Sequence, residues 1–236
     1  MIAEKGLVKS RQRARAMIMA GKVLVNGHQV DKPGFLVSTD DTLELKGEDI
    51  PYASRGGLKL EAALNNFKLN VIGKVCMDVG ASSGGFTDCL LQHGAERVYA
   101  VDVGYGQLAW KLRRDPRVVV IERTNVRNMP ADALPDPVDL VTIDVSFISL
   151  KIVVPAIERF MKPDASILAL IKPQFEVGKG QVGKGGVVRE PMLHQQVIDD
   201  LTGFFVTIEL KAEAVYPSPL LGPKGNREFF ILLRQS

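Results

Sequence analysis

Five short runs beyond residue 70 are almost wholly apolar: Val75–Val79, Val98–Val101, Val118–Ile121, Leu140–Ile143 and Ile167–Ile171. Strands that read as continuous apolar runs, without polar alternation, must be covered on both faces. Helix-like stretches separate most of them, and right-handed crossovers then wind those helices over the two faces of a parallel sheet. The tail offers two further strands, Ala212–Tyr216 and Phe229–Leu233, and Gly57 to Phe67 reads as a helix ahead of the first strand. The pattern predicts a Rossmann-like, seven-stranded α/β sheet with its ligand site at the carboxyl ends of the strands.

Composition places few other limits. With 236 residues, 46% hydrophobic and 24% charged, the chain has ordinary globular composition and can bury a sizeable core. Cys76 and Cys89 form neither a disulfide framework nor a metal-ligand spacing, which suits a reducing cytoplasm. His28, His93 and His194 are scattered and read as surface or helix residues, so no metal is expected. No run approaches the roughly 20 apolar residues that span a bilayer. The first residues lack the apolar core of a secretory signal, so a soluble cytoplasmic protein is expected, without a membrane or an obligate protein partner.

Charge is distributed unevenly. Net charge is only +3, yet the first 25 residues hold Lys5, Lys9, Arg11, Arg13, Arg15 and Lys22 against Glu4 alone. Such an arm suits a polyanion, though a solvated helix face would have the same composition. Ser10 is a good N-cap for a helix over 11–20, and Gly21 suits the left-handed position that ends one. Ala14, Met17 and Ile18 share one face of that helix, with Arg11 and Arg15 on another. Asn26-Gly27 between Val23-Leu24-Val25 and His28-Gln29-Val30 is a strong hairpin signal, because both central turn residues need positive φ. Asp31 to Gly34 is a second turn, Thr42 to Leu45 a short strand, and 47–54 a polar linker.

The order of residues 1–46, from Gly6-Leu7-Val8-Lys9-Ser10-Arg11 through Gly21-Lys22-Val23 to Asn26-Gly27, resembles the RNA-binding domain named after ribosomal protein S-four. That resemblance implies structured RNA as the partner and Lys9, Arg11, Arg13, Arg15 and Lys22 as its contacts. Members carry a further short segment that completes the first helix, whereas here the chain starts at Met1-Ile2-Ala3.

In the body, Asp78-Val79-Gly80-Ala81-Ser82-Ser83-Gly84-Gly85-Phe86 follows the first strand. Glycines there let the backbone turn sharply and pass under a ligand. A dinucleotide fingerprint wants glycine at 80, 82 and 85; Ser82 argues against it. Asp102 ends the next strand, where a carboxylate can accept both hydroxyls of a ribose. The alternative is a tight strand–helix turn with a capping acid. A second glycine-rich stretch, Gly178 to Gly185, fits most of a phosphate-binding loop but lacks the Ser or Thr at 185 and an immediate helix. It reads as a mobile basic loop able to embrace nucleic acid. Lys59, Asp144, Lys172 and Glu228 complete the candidates. Singly, the bland readings are a surface lysine, a turn acid and an edge charge. Lys172 differs, since it follows an apolar strand and precedes Pro173, which aims it into the cleft.

These motifs, together with Ser54 to Leu60, Asp102 to Leu108, Asp144 to Leu150 and Gly222 to Glu228, resemble the TlyA (hemolysin A) branch of the FtsJ-type ribose methyltransferases, over nearly the whole chain. The resemblance implies S-adenosylmethionine as cofactor, and ribosomal RNA or ribosomal subunits as partner. It further implies 2′-O-methylation of ribose with a catalytic tetrad of Lys59, Asp144, Lys172 and Glu228. Gly80, Ser82, Gly84, Phe86, Asp102, Asn125 and Asp144 fall to the cofactor, with Asn125 where wider relatives carry an acid. Chemistry is compatible: a ribose hydroxyl needs a base, and a lysine can serve if a second ammonium lowers its pKa. Lys172 is therefore expected as the base, Lys59 and Asp144 as its positioning partners, and Glu228 as an orienter. Domains are expected at 1–46 and 55–236. Rival readings are base methylation, a pore-forming hemolytic protein and a catalytically silent RNA-binding protein. Cytosine C5 transfer would want a cysteine at a strand end; amine transfer would want prolines in the turn at Asp144-Val145-Ser146-Phe147.

Overall fold

The computed structural model describes all residues except Lys9, Ala20, 47–49, Lys179 and Ser236, and leaves out the side chains of Gln12, Arg13 and Ala16. The chain divides into two compact units, Met1–Pro51 and Tyr52–Ser236. Two of the cations expected to meet RNA, Lys9 and the side chain of Arg13, therefore lie outside the described residues, as do residues 47–49 of the expected linker.

In the first unit α1 (Arg11–Met19) precedes β1 (Val23–Val25), β2 (His28–Val30) and β3 (Leu43–Leu45), which pair antiparallel in the order β2-β1-β3. Gly21 takes φ 64°, and the amides of Gly21 and Lys22 close on the carbonyls of Ile18 and Met17, ending the helix as its sequence requires. Asn26 and Gly27, at φ 51° and 78°, make the two-residue hairpin. Ala14 and Met17 pack with Ile2, Val8 and Val23 into a small core. Met1 to Leu7 is itself coiled into turns, with the Lys5 and Leu7 amides on the carbonyls of Met1 and Ile2.

The second unit carries α2 (Arg55–Asn66), β4 (Val75–Val79), α3 (Gly85–Gln92), β5 (Arg97–Val101), α4 (Trp110–Arg113), β6 (Val118–Ile121), β7 (Val138–Ile143), α5 (Leu150–Ile157), β8 (Met161–Ile171), α6 (Pro173–Glu176), α7 (Pro191–Val206), β9 (Leu210–Pro217) and β10 (Phe229–Gln235). Its sheet has seven strands in the order β6-β5-β4-β7-β8-β10-β9. β6 to β8 run parallel, and β10 lies antiparallel between β8 and β9. Order reverses between β4 and β7, so a crevice opens at the carboxyl ends of those two strands. The main core, including Met77, Tyr99, Val141, Ile143, Ile157, Ile167 and Phe205, lies against one face of this sheet.

Two expectations need correction. The second unit begins at Tyr52, which is buried, and Ser54 caps α2 by accepting from the Gly56 amide; residues 52–54 therefore belong to the body and the helix starts at Arg55. The basic loop is anchored from Gly183 onward, because the Gly183 amide meets the Val187 carbonyl and Val187 and Val188 are buried. His194 lies on α7, as expected of a helix residue, and is buried there with Nε2 2.9 Å from the Val188 carbonyl. No helix among the described residues is long and apolar enough to cross a membrane.

Candidate active site

Each candidate side chain arrives from the carboxyl edge of the sheet. Gly80 follows β4, Asp102 follows β5, Asp144 follows β7 and Lys172 follows β8. β10 runs the other way, so its first residues reach the same edge. Phe229 pairs with Ile171, which sets Glu228 beside Lys172. Lys59 comes from the second turn of α2.

The four tetrad residues form two ion pairs. Lys172 Nζ lies 2.6 Å from Asp144 Oδ1, at angles outside those of a hydrogen bond, and donates to Ser146 Oγ at 3.1 Å. Lys59 Nζ donates to Glu228 Oε2 at 2.6 Å. Both lysine side chains are 11% exposed and Glu228 is fully enclosed, so both pairs act in a medium of low dielectric. Glu228 Oε1 is buried without a hydrogen bond and faces Gly222, where a Cβ would come within 1.9 Å of it. Lys59 was expected to assist Lys172; instead each ammonium has its own carboxylate.

Two cavities meet at this edge. One, of about 400 Å³, is lined by Arg55, Lys59, Lys172, Glu228, Phe86 and Asp144 among others. The other, of about 500 Å³, is lined by Asp102, Asn125, Asp144, Val103, Phe147 and Ile148 among others. Gly80, Ser82 and Asp144 belong to both walls, so the cavities adjoin at the Lys172–Asp144 pair. Their charge differs: the larger has two carboxylates and no lysine or arginine in its lining, whereas the smaller has three cations against two carboxylates, Asp144 and Glu228. A phosphorylated ligand does not suit the first, whereas a cationic nucleoside does; the second suits a polyanion.

The larger cavity is built for close approach. Gly80 takes φ 85°, and a Cβ there would lie 2.5 Å from the Asp144 carbonyl oxygen, so only glycine lets β4 and β7 end side by side. Ser82 also has positive φ, 48°, and its amide donates to Asp102 Oδ2 at 2.7 Å, while the Gly104 amide donates to Oδ1 at 2.7 Å. Each Asp102 oxygen keeps a second lone pair. Asn125 Oδ1 accepts from the Arg127 amide, which leaves its NH2 group as the donor beside the cavity. Gly84 lines neither cavity; at φ 90° it lets Leu108 and Leu112 pack against its backbone. Phe86 walls the smaller cavity and stacks on Phe230 at 6.0 Å.

Several contributors were not legible as site residues. Glu176 of α6 accepts from Ser149 Oγ at 2.5 Å and from the Leu150 amide at 2.9 Å, clamping the loop after Asp144 to the helix after Lys172. Burial raises the Glu176 carboxyl above the usual range, against these hydrogen bonds. Phe147, 89% exposed at φ 65°, meets Phe175 at 4.9 Å and lines the larger cavity. Beneath the glycine loop Asp78 is fully buried. Burial pushes its carboxyl up to about 7, with Asp144 adding to the rise, although the Thr87 hydroxyl donates to Oδ2 at 2.6 Å. Cys76 and Cys89 are buried, and burial holds both thiols at about 12, so neither supplies a thiolate nucleophile.

This two-cavity edge agrees with the sequence comparisons. The profile of the FtsJ-like methyltransferases matches residues 52–235, and that of the S4 domain residues 1–43. The chain belongs to the FtsJ-like methyltransferase family. It is 48% identical over 234 residues to the 16S/23S rRNA (cytidine-2′-O)-methyltransferase TlyA of Mycobacterium tuberculosis, covering 99% of this chain and 87% of that protein. Hemolysin A of Brachyspira hyodysenteriae is 40% identical over 229 residues, 97% of this chain and 95% of that one. A solved SAM-dependent methyltransferase from Aquifex aeolicus aligns with TM-score 0.54 at 21% identity, covering 77% of this chain and 93% of that one, a likeness of fold.

Proposed function

We propose that this FtsJ-like enzyme transfers a methyl group from S-adenosylmethionine to a ribose 2′-hydroxyl of ribosomal RNA in the cytoplasm. The observation that carries the reading is the pairing of Lys172, in a cavity where cations outnumber carboxylates, with Asp144, in the wall that this cavity shares with a purely acidic one. When bound, the cofactor supplies an electrophilic methyl on a sulfonium, which needs no metal. Asp102 would accept the cofactor's ribose hydroxyls, and Gly80 and Ser82 would let its chain pass close to the backbone. Asn125 would present its amide to the base.

In the other cavity the RNA ribose sits against Lys172, Lys59 and Glu228. Asp144 holds the Lys172 side chain at the junction, and Lys172, once deprotonated, accepts the 2′-hydroxyl proton. A bound cofactor would then supply its methyl carbon to that oxygen, with the electron pair of the broken carbon–sulfur bond left on sulfur. Lys59 donates to Glu228 Oε2, and the pair fixes both side chains in the cavity wall, where Glu228 orients the lysine. An in-line displacement of this kind relies chiefly on alignment and a positioned base. The first unit, with Arg11, Arg15 and Lys22 on or beside α1, would hold structured RNA.

The test is transfer from labelled S-adenosylmethionine to purified 16S and 23S ribosomal RNA and to intact subunits, followed by nucleoside analysis. Label on a 2′-O-methyl ribose supports the reading. Label on a base, or no transfer to any of the substrates, overturns it.

A further inference from the structure

The glycine- and lysine-rich stretch around Gly178 to Gly186 was left without a role by the tetrad, and so was the Gly222 to Asn226 turn. The structure joins them. Gly183 to Gly186 is a tight turn, with the Gly186 amide on the Gly183 carbonyl, and Lys184 stands exposed within it. Gly222 to Asn226 is a second turn, closed by the Gly225 and Asn226 amides on the carbonyls of Gly222 and Pro223. Lys224 sits in it at φ 59°, exposed, and its Nζ is 3.7 Å from where a Cβ on Gly186 would be.

One buried side chain fastens both turns. Asn226, 3% exposed, donates from Nδ2 to the Gly186 carbonyl at 2.9 Å and to the Pro223 carbonyl at 3.2 Å. Its Oδ1 accepts from the Val188 amide at 3.0 Å. An asparagine amide spent entirely on backbone groups fixes two loops in one arrangement. The arrangement brings cations together at the mouth of the smaller cavity, which Pro223 lines, with Arg227 next to Glu228 and Arg55 in the wall. Among the described residues none of Arg55, Lys184, Lys224 and Arg227 forms an ion pair. Clustered cations without internal partners repel one another unless an anion lies between them.

We propose that the two turns stapled by Asn226 form a phosphate-gripping rim, in which Lys184 and Lys224 hold the phosphodiester groups of the RNA strand flanking the ribose that enters the cleft. This deepens the reading of the chain as an RNA ribose methyltransferase and rests on it. It gives the catalytic unit an RNA contact separate from the basic helix of the first unit. The rim seats the strand locally, where a nucleotide must be presented to Lys172.

The experiment compares full-length wild type with Lys184→Ala/Lys224→Ala by direct binding to purified 16S and 23S ribosomal RNA across a salt series. Both lysines are exposed, so folding is not at stake. The double variant should bind about tenfold or more weakly, and its plot of log affinity against log salt should be shallower by roughly 1.4, for two lost phosphate contacts. Cofactor affinity should not move. Asn226→Ala keeps both lysines but frees the turns, and should fall between the two; if it fails to fold, the lysine pair still decides. Unchanged RNA affinity and slope in the double variant, with wild type labelling ribose, overturns the rim and leaves the reaction standing. Lysine-dependent binding with label on a base supports the rim and overturns the reaction.

Discussion

Lys172 and Asp144 stand at the carboxyl ends of neighbouring parallel strands, with 2.6 Å between Nζ and Oδ1. Two side chains so placed need no loop rearrangement to meet, because the register of β7 and β8 already puts their strand ends together. Asp144 belongs to the wall common to both cavities, and Lys172 lines the smaller one beside it.

If Lys172 is the base, Lys172→Ala should abolish methyl transfer while cofactor and RNA binding stay near normal. Lys172→Arg should be nearly as damaging, since a guanidinium keeps the ion pair with Asp144 but does not give up a proton at accessible pH. A base contributes about 10²–10⁴-fold, a loss plain in single-turnover measurements. Substantial transfer by the arginine variant would leave Lys172 only an electrostatic part.

The Lys59–Glu228 pair predicts a non-additive stability cycle. Lys59→Met should cost about 3–5 kcal/mol, because it strands the enclosed Glu228 carboxylate. Lys59→Met/Glu228→Gln should recover much of that loss in urea unfolding, while activity stays low. Additive costs would mean that the two groups do not depend on each other.

Asp102→Ala should weaken S-adenosylmethionine binding roughly tenfold to a hundredfold, for one lost charge-assisted hydrogen bond of about 1.5–3 kcal/mol. Since Asp102 also accepts from the Ser82 and Gly104 amides, part of the loss comes through the glycine loop. Asp102→Asn can accept from only one of these amides and should sit between alanine and wild type. Calorimetry that finds equal affinity in all three proteins removes Asp102 from the cofactor site.

Asp78 predicts a pH dependence of folding. Its carboxyl is raised in the folded state to about 7, so its contribution to stability is fully present below the unfolded value near 4 and is lost as pH rises through about 7. Asp78→Asn should therefore gain on wild type as pH climbs from about 4 to about 7, by up to about 1.4 kcal/mol per unit, and level off above that. Parallel stability curves for the two proteins would show that Asp78 does not titrate there.

Replacing Arg11, Arg13 and Arg15 together should weaken RNA binding and flatten its salt dependence without touching cofactor affinity. Arg11 is partly engaged already, donating to Glu4 at 2.7 Å, so Arg11→Ala alone should show the smaller effect. Filter binding at several salt concentrations decides whether this helix meets phosphates or water.

The sheet was legible where apolar runs are bounded by turn residues. Val75–Val79 ends at Gly80 and Val118–Ile121 begins after Asp115-Pro116, and both strands have those bounds. β8 begins at Met161, six residues before its apolar run, because Lys162-Pro163-Asp164 is polar edge chain that hydropathy reads as loop. The four tetrad residues were legible through their motifs, but their pairing was not. Lys59 and Glu228 are 169 residues apart, and they meet only because β10 inserts antiparallel beside β8. Glu176 looked like one more charge after Lys172-Pro173; its part depends on α6 turning it back towards Ser149.

The position of β10 has a consequence for the order in which the enzyme is made. A ribosome translating this chain emits six of the sheet's seven strands before β10, which belongs between two of them. Until Phe229–Gln235 emerges, β8 and β9 each have an open edge, and Lys59 has no carboxylate to meet. Both strand edges close, and the Lys59–Glu228 pair forms, with the insertion of that one late strand, so the two halves of the pair are joined by the last strand of the sheet to be synthesised.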